Sequence, residues 1–553
     1  AEWVRNGGTL LTIAAPLVEE MVKNHYSTEE ALERFKKEGL VFSSNEDVVK
    51  DFYAQLLKLE KENKNGIWAR FLKNSFAPMI AGRFDFVVGN PPWIRWDYLS
   101  QSYRTATLKL WKDYGLFSLK GYAQMLGGAK PDFSMLFVYS SADYYLKEGA
   151  KLGFLITQEV FKSKGAGEGF RRFRLGEGKY LKVIKAHDFV SVQPFEGAAN
   201  KTAAIFLIKG EKTEYPVPYF IWTKKKGIGK IKTDRVLNEV LPLLINRKYN
   251  ARPVASDNSA WQTYLMDSKK LLKIKGNNFY VARSGAYTSP YGVFWINIQQ
   301  KLLNGNLKVT NNTSQGKRKI PNIEEVIESD LVFPVVRGSD INKWGVDISI
   351  FALIVQDPHK HNKGYDENIM KQKWPRTYSY LTRFKEFLIT QAAYNKFHKD
   401  QNNPFYSQYN IGDYTFANYK VIWNQMGNEL SASVISQKKT LFGYKTVIPL
   451  HTTALIATNN EPEAHYLCAI INSTPVRDFI KSFSSAGRGF GTPSVMEHVG
   501  IPKFDPQNAL HLQLADISKR CHQLKLEGKV DEIKKLEKDN DTLVGELFGI
   551  SHD

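Results

Sequence analysis

The sequence predicts an α/β protein that continues into a larger, irregular α+β part and a helical tail. Short apolar runs, typical of buried strands, alternate with helical segments between residues 81 and 212. Strands that alternate with helices at this spacing form a sheet with helices on its faces. At 553 residues, the chain is also too long for one ordinary core, so several domains are expected.

Changes of pattern divide the chain into four predicted parts. Residues 17–77 place apolar side chains three and four positions apart, which predicts helices, and Ser27 with Glu30 is a predicted N-terminal cap. After about residue 212 the chain becomes rich in Tyr, Trp, Asn and turn residues. The predicted parts are a helical segment, an α/β domain, an α+β domain and a helical tail, at residues 1–80, 81–212, 213–505 and 506–553.

The tail carries a short heptad-like seam. Its apolar residues alternate at spacings of four and three, and they are Leu510, Leu514, Ile517, Cys521 and Leu524. This seam predicts either an amphipathic helix that packs on its own domain or a coiled coil between subunits. Oligomerisation through the C-terminal helix is therefore the second of two interpretations.

The composition favours a polyanionic partner and a cytoplasmic location. The net charge is +20, and the basic excess precedes residue 506, because the tail has seven Lys and Arg against nine Asp and Glu. Two cysteines make no disulfide framework and no Cys/His cluster has zinc spacing, so no metal is expected. The first 20 residues lack signal-peptide features and no apolar run reaches 18 residues, so no membrane partner is expected.

The stretch DFVVGNPPWIRW, residues 85–96, predicts a strand that ends in a stiff loop. Pro91 and Pro92 fix φ, remove two backbone donors and exclude a helix. The side-chain oxygen of Asn90 and the carbonyl of Pro91 are two rigid acceptors that can hold both hydrogens of an exocyclic amine at about 3 Å. Preorganised dipoles of this kind lower barriers without reorganisation, and Trp93 offers a face for a flat base.

This stretch resembles motif IV, (N/D)PP(Y/F/W), of amino-group methyltransferases that use S-adenosylmethionine, above all the N6-adenine DNA enzymes. The resemblance implies the C-terminal half of a Rossmann-like methyltransferase domain, in which Asn90, Pro91, Pro92 and Trp93 are catalytic. It also implies double-stranded DNA as the partner and a target base that leaves the duplex. The competing interpretation is an edge strand that stops at a Pro-Pro turn beside a core Trp.

Two later stretches follow the same order. PDFSMLFVYSSADYYLKEGAKLGFLIT is similar to the helix and strand after motif IV, which implies that Asp132 and Phe137 approach the cofactor. QPFEGAANKTAAIFLIKG resembles a later motif in which an aromatic ring packs on the flipped base, and this indicates Phe195. The alternatives are an ordinary helix N-terminal Asp and two core Phe residues.

Basic residues are the predicted DNA contacts. GAGEGF at residues 165–170 looks like a mobile loop whose basic neighbours meet phosphates or are simply solvated, and these are Lys162, Lys164, Arg171 and Arg172. The long second part resembles the target-recognition domain of type IIG and type I enzymes, through FPVVRGSDINKW, HYLCAIINS and SSAGRGFGTPSVMEHVGIPKFDP. Its candidate contacts are Lys224, Lys225, Lys226, Lys230, Lys232 and Arg488, whereas Arg337 is expected to hold a turn through Asp340.

The Gly-rich cofactor loop of this fold is not found upstream of Asn90. Only Gly7 and Gly8 are there, without a strand before them and without a GxG pattern. We therefore expect that the chain is truncated at its N-terminus, and that it is inactive in isolation if the missing motif is not supplied.

The sequence supports a first hypothesis and leaves others open. The first is the methyltransferase part of a restriction-modification or related phage-defence enzyme, acting on adenine N6, with a nuclease domain or subunit elsewhere. A DNA-binding specificity module without catalysis is the second. The third keeps the chemistry but changes the substrate to RNA or a protein glutamine. Cytosine N4 is a further target, because it too is an exocyclic amine whose lone pair is delocalised into the ring.

Overall fold

The fold is described from a computed structural model of the chain. The described residues are 16–39, 46–64, 81–117, 131–163, 165–195, 200–232, 234–314, 319–391, 394–395, 398–484 and 487–550, with the backbone alone for 266–269 and 487–488.

Three helical stretches precede the sheet in the described part of the chain: residues 16–23, α1 (Thr28–Lys37) and α2 (Glu46–Lys61). The predicted cap of α1 is confirmed. The hydroxyl of Ser27 accepts from the Glu30 N–H at 3.2 Å, and the Glu30 carboxylate accepts from the Ser27 N–H at 2.7 Å. This reciprocal pair satisfies two backbone donors at the helix start. The apolar faces of all three helical stretches meet in a small core of their own, which includes Met21, Leu32 and Tyr53.

A mixed sheet of eight strands forms the first large core and confirms the α/β class. Its strands are β1 (Phe84–Gly89), β2 (Leu146–Thr157), β3 (Arg174–Gly176), β4 (Lys179–Asp188), β5 (Thr202–Lys209), β6 (Val217–Lys224), β7 (Leu244–Pro253) and β8 (Trp261–Tyr264). Their order is β1-β2-β5-β4-β6-β7-β8, with β3 paired to β4. The β1–β2 and β4–β6 pairs are parallel, and the other pairs are antiparallel.

Three helices accompany this sheet, α3 (Gln101–Asp113), α4 (Phe133–Tyr145) and α5 (Glu159–Lys162). Helix α4 packs on β1 and β2 and covers one face of the sheet. In the stretch PDFSMLFVYSSADYYLKEGAKLGFLIT, similar to a helix followed by a strand, the helix ends at Tyr145 and the chain enters β2 at Leu146. Pairing with β1 takes these residues into the sheet, and tertiary contacts of this kind override local helix propensity.

The opposite face of β1 is open. Val87 packs into the core, whereas Phe86 and Val88 are 71% and 82% exposed. Successive side chains of a strand point to opposite faces, so the exposed residues share one face. Strand β1 also lies at the edge of the sheet.

The predicted boundary at residue 212 is wrong for this sheet. Strands β6, β7 and β8 all follow that residue, and β6 pairs with β4 while β7 pairs with β6. Hydrogen bonding to strands that are distant in sequence carries the sheet on to Tyr264, where composition had indicated a new domain.

The rest of the chain builds smaller sheets. The described strands are β9 (Arg283–Ser284), β10 (Trp295–Lys301), β11 (Leu307–Asn311), β12 (Glu324–Ile327), β13 (Val332–Val336), β14 (Ile341–Asn342), β15 (Gly345–Val346), β16 (Ile350–Leu353), β17 (Tyr419–Asn424), β18 (Met426–Gly427), β19 (Ala432–Ile435), β20 (Gln437–Thr440), β21 (Gly443–Thr446), β22 (Ile448–Pro449), β23 (Thr453–Thr458) and β24 (Gly487–Arg488). A six-stranded sheet has the order β12-β11-β10-β16-β13-β22, and a four-stranded sheet has the order β19-β17-β23-β9. The pairs β14–β15, β18–β24 and β20–β21 are separate ribbons.

One short helix, α6 (Leu237–Val240), lies between β6 and β7 of the first sheet. The helices that accompany the later strands are α7 (Tyr291–Phe294), α8 (Glu367–Lys373), α9 (Pro375–Thr382), α10 (Lys385–Ile389), α11 (Glu461–Asn472), α12 (Thr474–Phe483), α13 (Pro493–Met496), α14 (Ala509–Leu526) and α15 (Val530–Leu547). The irregular α+β character that the sequence predicted for this part is confirmed.

The C-terminal seam packs inside the chain. Leu514, Ile517 and Cys521 on α14 are buried in the same core as the residues of α11. Helix α15 is fastened to the body by the indole N–H of Trp344, which donates to Glu537 at 2.8 Å. The first interpretation of the seam, an amphipathic helix on its own domain, is confirmed, and a coiled coil between subunits stays a prediction.

Candidate active site at the end of strand β1

The Asn-Pro-Pro-Trp loop leaves the sheet at the end of β1. Gly89 lies where a Cβ would stand 3.1 Å from the Phe154 ring, so the strand approaches that ring closely at this position. Asn90 is exposed, Pro91 is buried and Trp93 is half-buried. The loop is therefore anchored by its first proline, while the amide of Asn90 stays accessible.

Trp93 and Phe195, each predicted to stack on the target base, lie next to each other. Their ring centroids are 5.3 Å apart and the ring planes meet at 77°. The indole N–H of Trp93 donates to the Leu155 carbonyl at 3.3 Å, which ties the ring to β2. Edge-to-face rings at this distance leave no room for a base between them, since a sandwiched base needs about 7 Å, twice the usual contact distance.

The segment after the loop is held by backbone hydrogen bonds. The N–H of Trp96 donates to the Pro131 carbonyl at 3.0 Å, and the N–H of Phe133 donates to the Ile94 carbonyl at 2.8 Å. The Trp96 ring is also packed edge-to-face on the ring of Trp111, 5.3 Å away. The loop is therefore clamped between β1 and the start of α4.

Asp132 and Phe137 lie at the start of α4 and within it, close to this clamp. The Asp132 carboxylate caps the helix by accepting from the N–H of Ser134 at 2.9 Å and from the Ser134 hydroxyl. Burial raises the pKa of Asp132 to about 6, against the opposing effect of the Ser134 hydrogen bonds. Phe137 is half-buried and packs edge-to-face on Phe133, 5.0 Å between centroids.

The described residues do not make a complete site for S-adenosylmethionine. The Asp132 carboxylate is engaged by Ser134. In the described part of the chain, the turns after β1 and β2 begin Asn90-Pro91 and Gln158-Glu159 and are not Gly-rich. Cofactor binding by Asp132 and Phe137 stays a prediction.

Two of the predicted phosphate contacts are wrong. Lys162 is 8% exposed, and its ammonium donates to the Thr263 hydroxyl at 2.9 Å and to the Ser482 carbonyl. Arg171 is 1% exposed and donates to the carbonyls of Asn258 and Ser163 at 2.9 and 2.8 Å. Both side chains are buried, donate hydrogen bonds to other segments of the chain and are not available to DNA in this conformation.

The remaining basic candidates have different surroundings. Arg172 is exposed at the end of a short turn, but its guanidinium donates to the Tyr114 carbonyl at 2.6 Å. Lys164 lies outside the described residues. Lys224 ends β6 and is half-buried, whereas the lysines that follow it are exposed: Lys225, Lys226, Lys230 and Lys232. A DNA-binding role for them stays a prediction.

Arg337 lies in a turn, and Arg488 lies in a two-stranded ribbon. Arg337 donates to Asp340 at 2.7 Å, and its own N–H donates to the same carboxylate at 2.9 Å, so the predicted turn is confirmed. The backbone of Arg488 pairs with Met426 in the β18–β24 ribbon. A DNA contact by Arg488 stays a prediction.

The sequence interpretation missed Asp188. This residue ends β4 and is buried, and its carboxylate accepts hydrogen bonds from three different parts of the chain. An acidic residue at the end of an apolar strand, YLKVIKAHD, was the available signal. Its partners are distant in sequence, so the sequence did not identify them.

Comparisons with known proteins agree with the loop's resemblance. Residues 16–195, about a third of the chain, match the family of Eco57I restriction-modification methylases. The Type II methyltransferase M.HincII of Haemophilus influenzae is 29% identical over 132 residues, which are 24% of this chain and 23% of that protein. M.NspV of Nostoc sp. is 27% identical over 164 residues, 28% of this chain and 30% of that protein. The resemblance to restriction-modification methyltransferases is confirmed for a segment that contains both Trp93 and Phe195.

The chain spans less than a third of the length of these two methyltransferases. Among solved structures, the type IIL restriction-modification enzyme MmeI in complex with DNA is similar with a TM-score of 0.49 and 12% identity, over 85% of this chain and 55% of that chain. A nuclease-deletion mutant of the type ISP enzyme LlaGI is similar with a TM-score of 0.40 and 10% identity, over 82% of this chain and 43% of that chain.

The described residues include neither a membrane span nor a metal cluster. No helix among them is both long and apolar enough to cross a membrane. No group of three or more His, Cys, Asp or Glu side chains in this part of the chain is arranged to hold a metal ion.

Proposed function

We propose that this chain is part of a restriction-modification DNA methyltransferase that transfers a methyl group from S-adenosylmethionine to adenine N6 in duplex DNA. One observation carries the proposal. The accessible Asn90 directly follows β1, and Trp93 lies in the same loop. The ring centroid of Trp93 is 5.3 Å from that of Phe195, although 102 positions separate the two residues. A polar acceptor and two aromatic rings supply the hydrogen bonding and stacking that an extruded base uses once the rings have separated.

The loop solves the electronic problem of the substrate amine. The lone pair of an exocyclic amine is delocalised into the ring, which makes the nitrogen a weak nucleophile. The Asn90 oxygen and the Pro91 carbonyl each accept one N–H hydrogen, so the lone pair is drawn back onto the nitrogen. Because the prolines fix this backbone, the acceptors are already oriented and no reorganisation is needed in the transition state.

The two rings receive the base after a local movement. Trp93 is fixed by its hydrogen bond to Leu155, so Phe195 is the ring that turns aside when a base enters. Each aromatic face contributes about 1 to 3 kcal/mol of stacking, which offsets part of the cost of unstacking the base. S-adenosylmethionine supplies the electrophilic methyl group.

The test is substitution of Asn90 in the full chain. Asn90→Ala removes one of the two acceptors, so we expect methyl transfer to fall by about 100-fold or more, as when one preorganised dipole is removed elsewhere. Asn90→Asp keeps an acceptor oxygen and should retain part of the activity. Incorporation of tritiated methyl groups from S-adenosylmethionine into unmethylated genomic DNA measures this.

The control is stability, since Asn90 is exposed and its replacement should leave the melting temperature unchanged. Measurable methyl transfer that is equal for the Asn90→Ala variant and the unchanged chain would contradict the proposal. Digestion of the methylated DNA and mass spectrometry of its bases separates adenine N6 from cytosine N4.

A second candidate is a DNA-binding specificity module without catalysis. It is supported by the net charge of +20 and by the exposed lysines that follow β6, which would bind DNA with or without catalysis. Calorimetry with S-adenosylmethionine separates the two candidates, because binding at one site per chain counts against the second. Competition of duplex DNA against tRNA and glutamine peptides tests whether the substrate is DNA at all.

A further inference from the structure

A buried carboxylate stands at the root of the loop that carries Phe195. Asp188 is the last residue of β4 and is 6% exposed. Its Oδ2 accepts from the Tyr219 hydroxyl at 2.8 Å and from the Gln158 amide at 3.2 Å. Its Oδ1 accepts from the N–H of Val190 at 3.0 Å. One side chain therefore joins three separate segments.

The two partners of Oδ2 lie within the sheet or directly beside it. Tyr219 lies within β6 and is fully buried, and β6 pairs with β4 in parallel. Gln158 directly follows β2 and is also buried, and its N–H donates to the Lys201 carbonyl at 2.7 Å. The position of the carboxylate is therefore set by the sheet and not by the loop.

The partner of Oδ1 belongs to the loop. Val190 is the second residue after β4, and the N–H groups of Val192 and Gln193 donate back to the Phe189 carbonyl at 2.9 and 3.0 Å. This compact turn leads directly to Phe195, whose ring meets Trp93. The hydrogen bond from the Val190 N–H to Asp188 therefore orients the start of the turn that leads to the Phe195 ring.

We propose that Asp188 is a positioning residue that fastens this turn to the sheet, so that Phe195 returns to the same place beside Trp93 after each base enters and leaves. The proposal rests on the proposed function of the loop. Asp188 does not touch the reacting atoms. A buried carboxylate with three hydrogen bonds has its lone pairs satisfied, and removing it leaves buried donors unpaired, which destabilises the segments that carry them.

A purely structural role would also make Asp188 important, so the experiment compares positions and not only activities. Asp188→Ala removes both carboxylate oxygens and with them all three hydrogen bonds, whereas Asp188→Asn keeps an oxygen that can accept from Val190. Tyr219→Phe removes one fixed donor. The matched control is Tyr114→Phe, which deletes another buried hydroxyl in the same domain, bonded to Asp143 at 3.1 Å.

Hydrogen exchange of the amides from Val190 to Phe195 is the first readout, and it needs neither DNA nor methyl transfer. Asp188→Ala should speed this exchange by about tenfold or more relative to the core strands, and Asp188→Asn should restore most of the protection. In methylation assays, kcat should fall by about tenfold while KM for DNA changes by less than about threefold. Tyr219→Phe should lower kcat more than Tyr114→Phe does.

Unchanged exchange of these amides in Asp188→Ala overturns the proposal, as does a decrease of kcat that only follows the melting temperature in all four variants. If Asp188→Ala does not fold, the comparison of Tyr219→Phe with Tyr114→Phe decides, and equal exchange and kcat in these two variants overturns the proposal. Failure of the proposed function is distinguishable, because it would remove methylation from the unchanged chain and leave the exchange result intact.

Discussion

At the scale of single residues, the loop combines an accessible acceptor with a fixed ring. Asn90 is exposed, while Trp93 is tied to Leu155 and packed against Phe195. The structure brings the rings of Trp93 and Phe195 into contact, while their predicted stacking on the target base stays a prediction. The sequence did not predict their edge-to-face geometry, because ring orientation depends on how the Phe195 loop is fastened at Asp188.

We expect that removing either ring of the Trp93–Phe195 pair lowers methylation while the protein stays folded. An aromatic pair contributes about 0.5 to 1.5 kcal/mol beyond its buried area, so Trp93→Ala and Phe195→Ala should each remain folded. Each should lower methylation about fivefold or more, because a stacked base loses about 1 to 3 kcal/mol with its ring. Thermal melts and methyl incorporation check both parts, and a variant that unfolds at room temperature would show that the rings are mainly structural.

Asp132 makes a prediction about pH. In the native protein its carboxyl group keeps its proton up to about pH 6, whereas its ordinary pKa is 3.8. The native state therefore binds more protons between these values, and this group destabilises the fold increasingly as pH rises through that window. Asp132→Asn, which can still cap the helix, should become relatively more stable between pH 4 and 6, by roughly 3 kcal/mol at most.

Urea denaturation of both proteins from pH 4 to pH 8 measures this difference. It should rise up to about pH 6 and then stay constant. A difference that does not depend on pH would mean that Asp132 is not desolvated in the native state.

At the scale of elements, strand β1 is the least covered part of the sheet. The run FDFVVG is largely apolar, which is typical of a strand of a parallel sheet that is buried on both faces. In the structure Val87 enters the core, whereas Phe86 and Val88 are exposed at the edge. An apolar sequence run therefore showed that β1 is a strand but not which of its faces is covered.

Two neighbouring valines test this description directly. Val87→Ala removes two methyl groups from a packed position and should lower the free energy of unfolding by about 1 to 2 kcal/mol. Val88→Ala makes the same chemical change at a position that is 82% exposed, and should cost less than about 0.5 kcal/mol. Equal destabilisation in urea denaturation would show that the outer face of β1 is covered in solution.

At the scale of the whole molecule, Lys162 joins the two large parts of the chain. Lys162 is the last residue of α5, and its ammonium donates hydrogen bonds to the hydroxyl of Thr263 on β8 and to the carbonyl of Ser482 on α12. The Thr263 hydroxyl also donates to the Ser482 carbonyl, at 2.9 Å. The sheet is thereby fastened to the helices that follow the smaller sheets.

This joint should make stability depend on pH. Burial lowers the pKa of Lys162 from 10.5 to about 7. Between these values the unfolded chain binds the proton that the native protein has released, so the contribution of Lys162 to stability rises with pH. Lys162→Met cannot titrate, so its stability relative to the unchanged chain should fall as pH increases from about 7 to 10.

Denaturation of both proteins across this range measures the effect, and Lys225→Met, at an exposed lysine, is the control. A constant difference for Lys162→Met would mean that the ammonium stays charged in its buried place.

The basic surface makes a prediction about DNA affinity. Lys225 and Lys226 lie exposed after β6, in the part of the chain that carries the positive excess. Replacing both with Gln should weaken binding to duplex DNA regardless of its sequence. The log–log slope of affinity against salt should become shallower by about 0.9 for each phosphate that is no longer neutralised. Lys534→Gln on the acidic tail is the matched control, and equal slopes for all three proteins would place the DNA elsewhere.

The sequence by itself determined the local features of this protein. The two prolines after Asn90 exclude a helix, the alternation of apolar runs indicates an α/β sheet, and Ser27 with Glu30 caps a helix, because each depends on residues that are near in sequence. The tertiary structure alone decided which charges are buried and where the sheet ends. Lys162 and Arg171 look like surface cations, yet partners up to 320 residues away enclose Lys162, and β6 to β8 join the sheet through long-range pairing. Burial and hydrogen-bond partners depend on contacts between distant segments, and a local pattern does not contain that information.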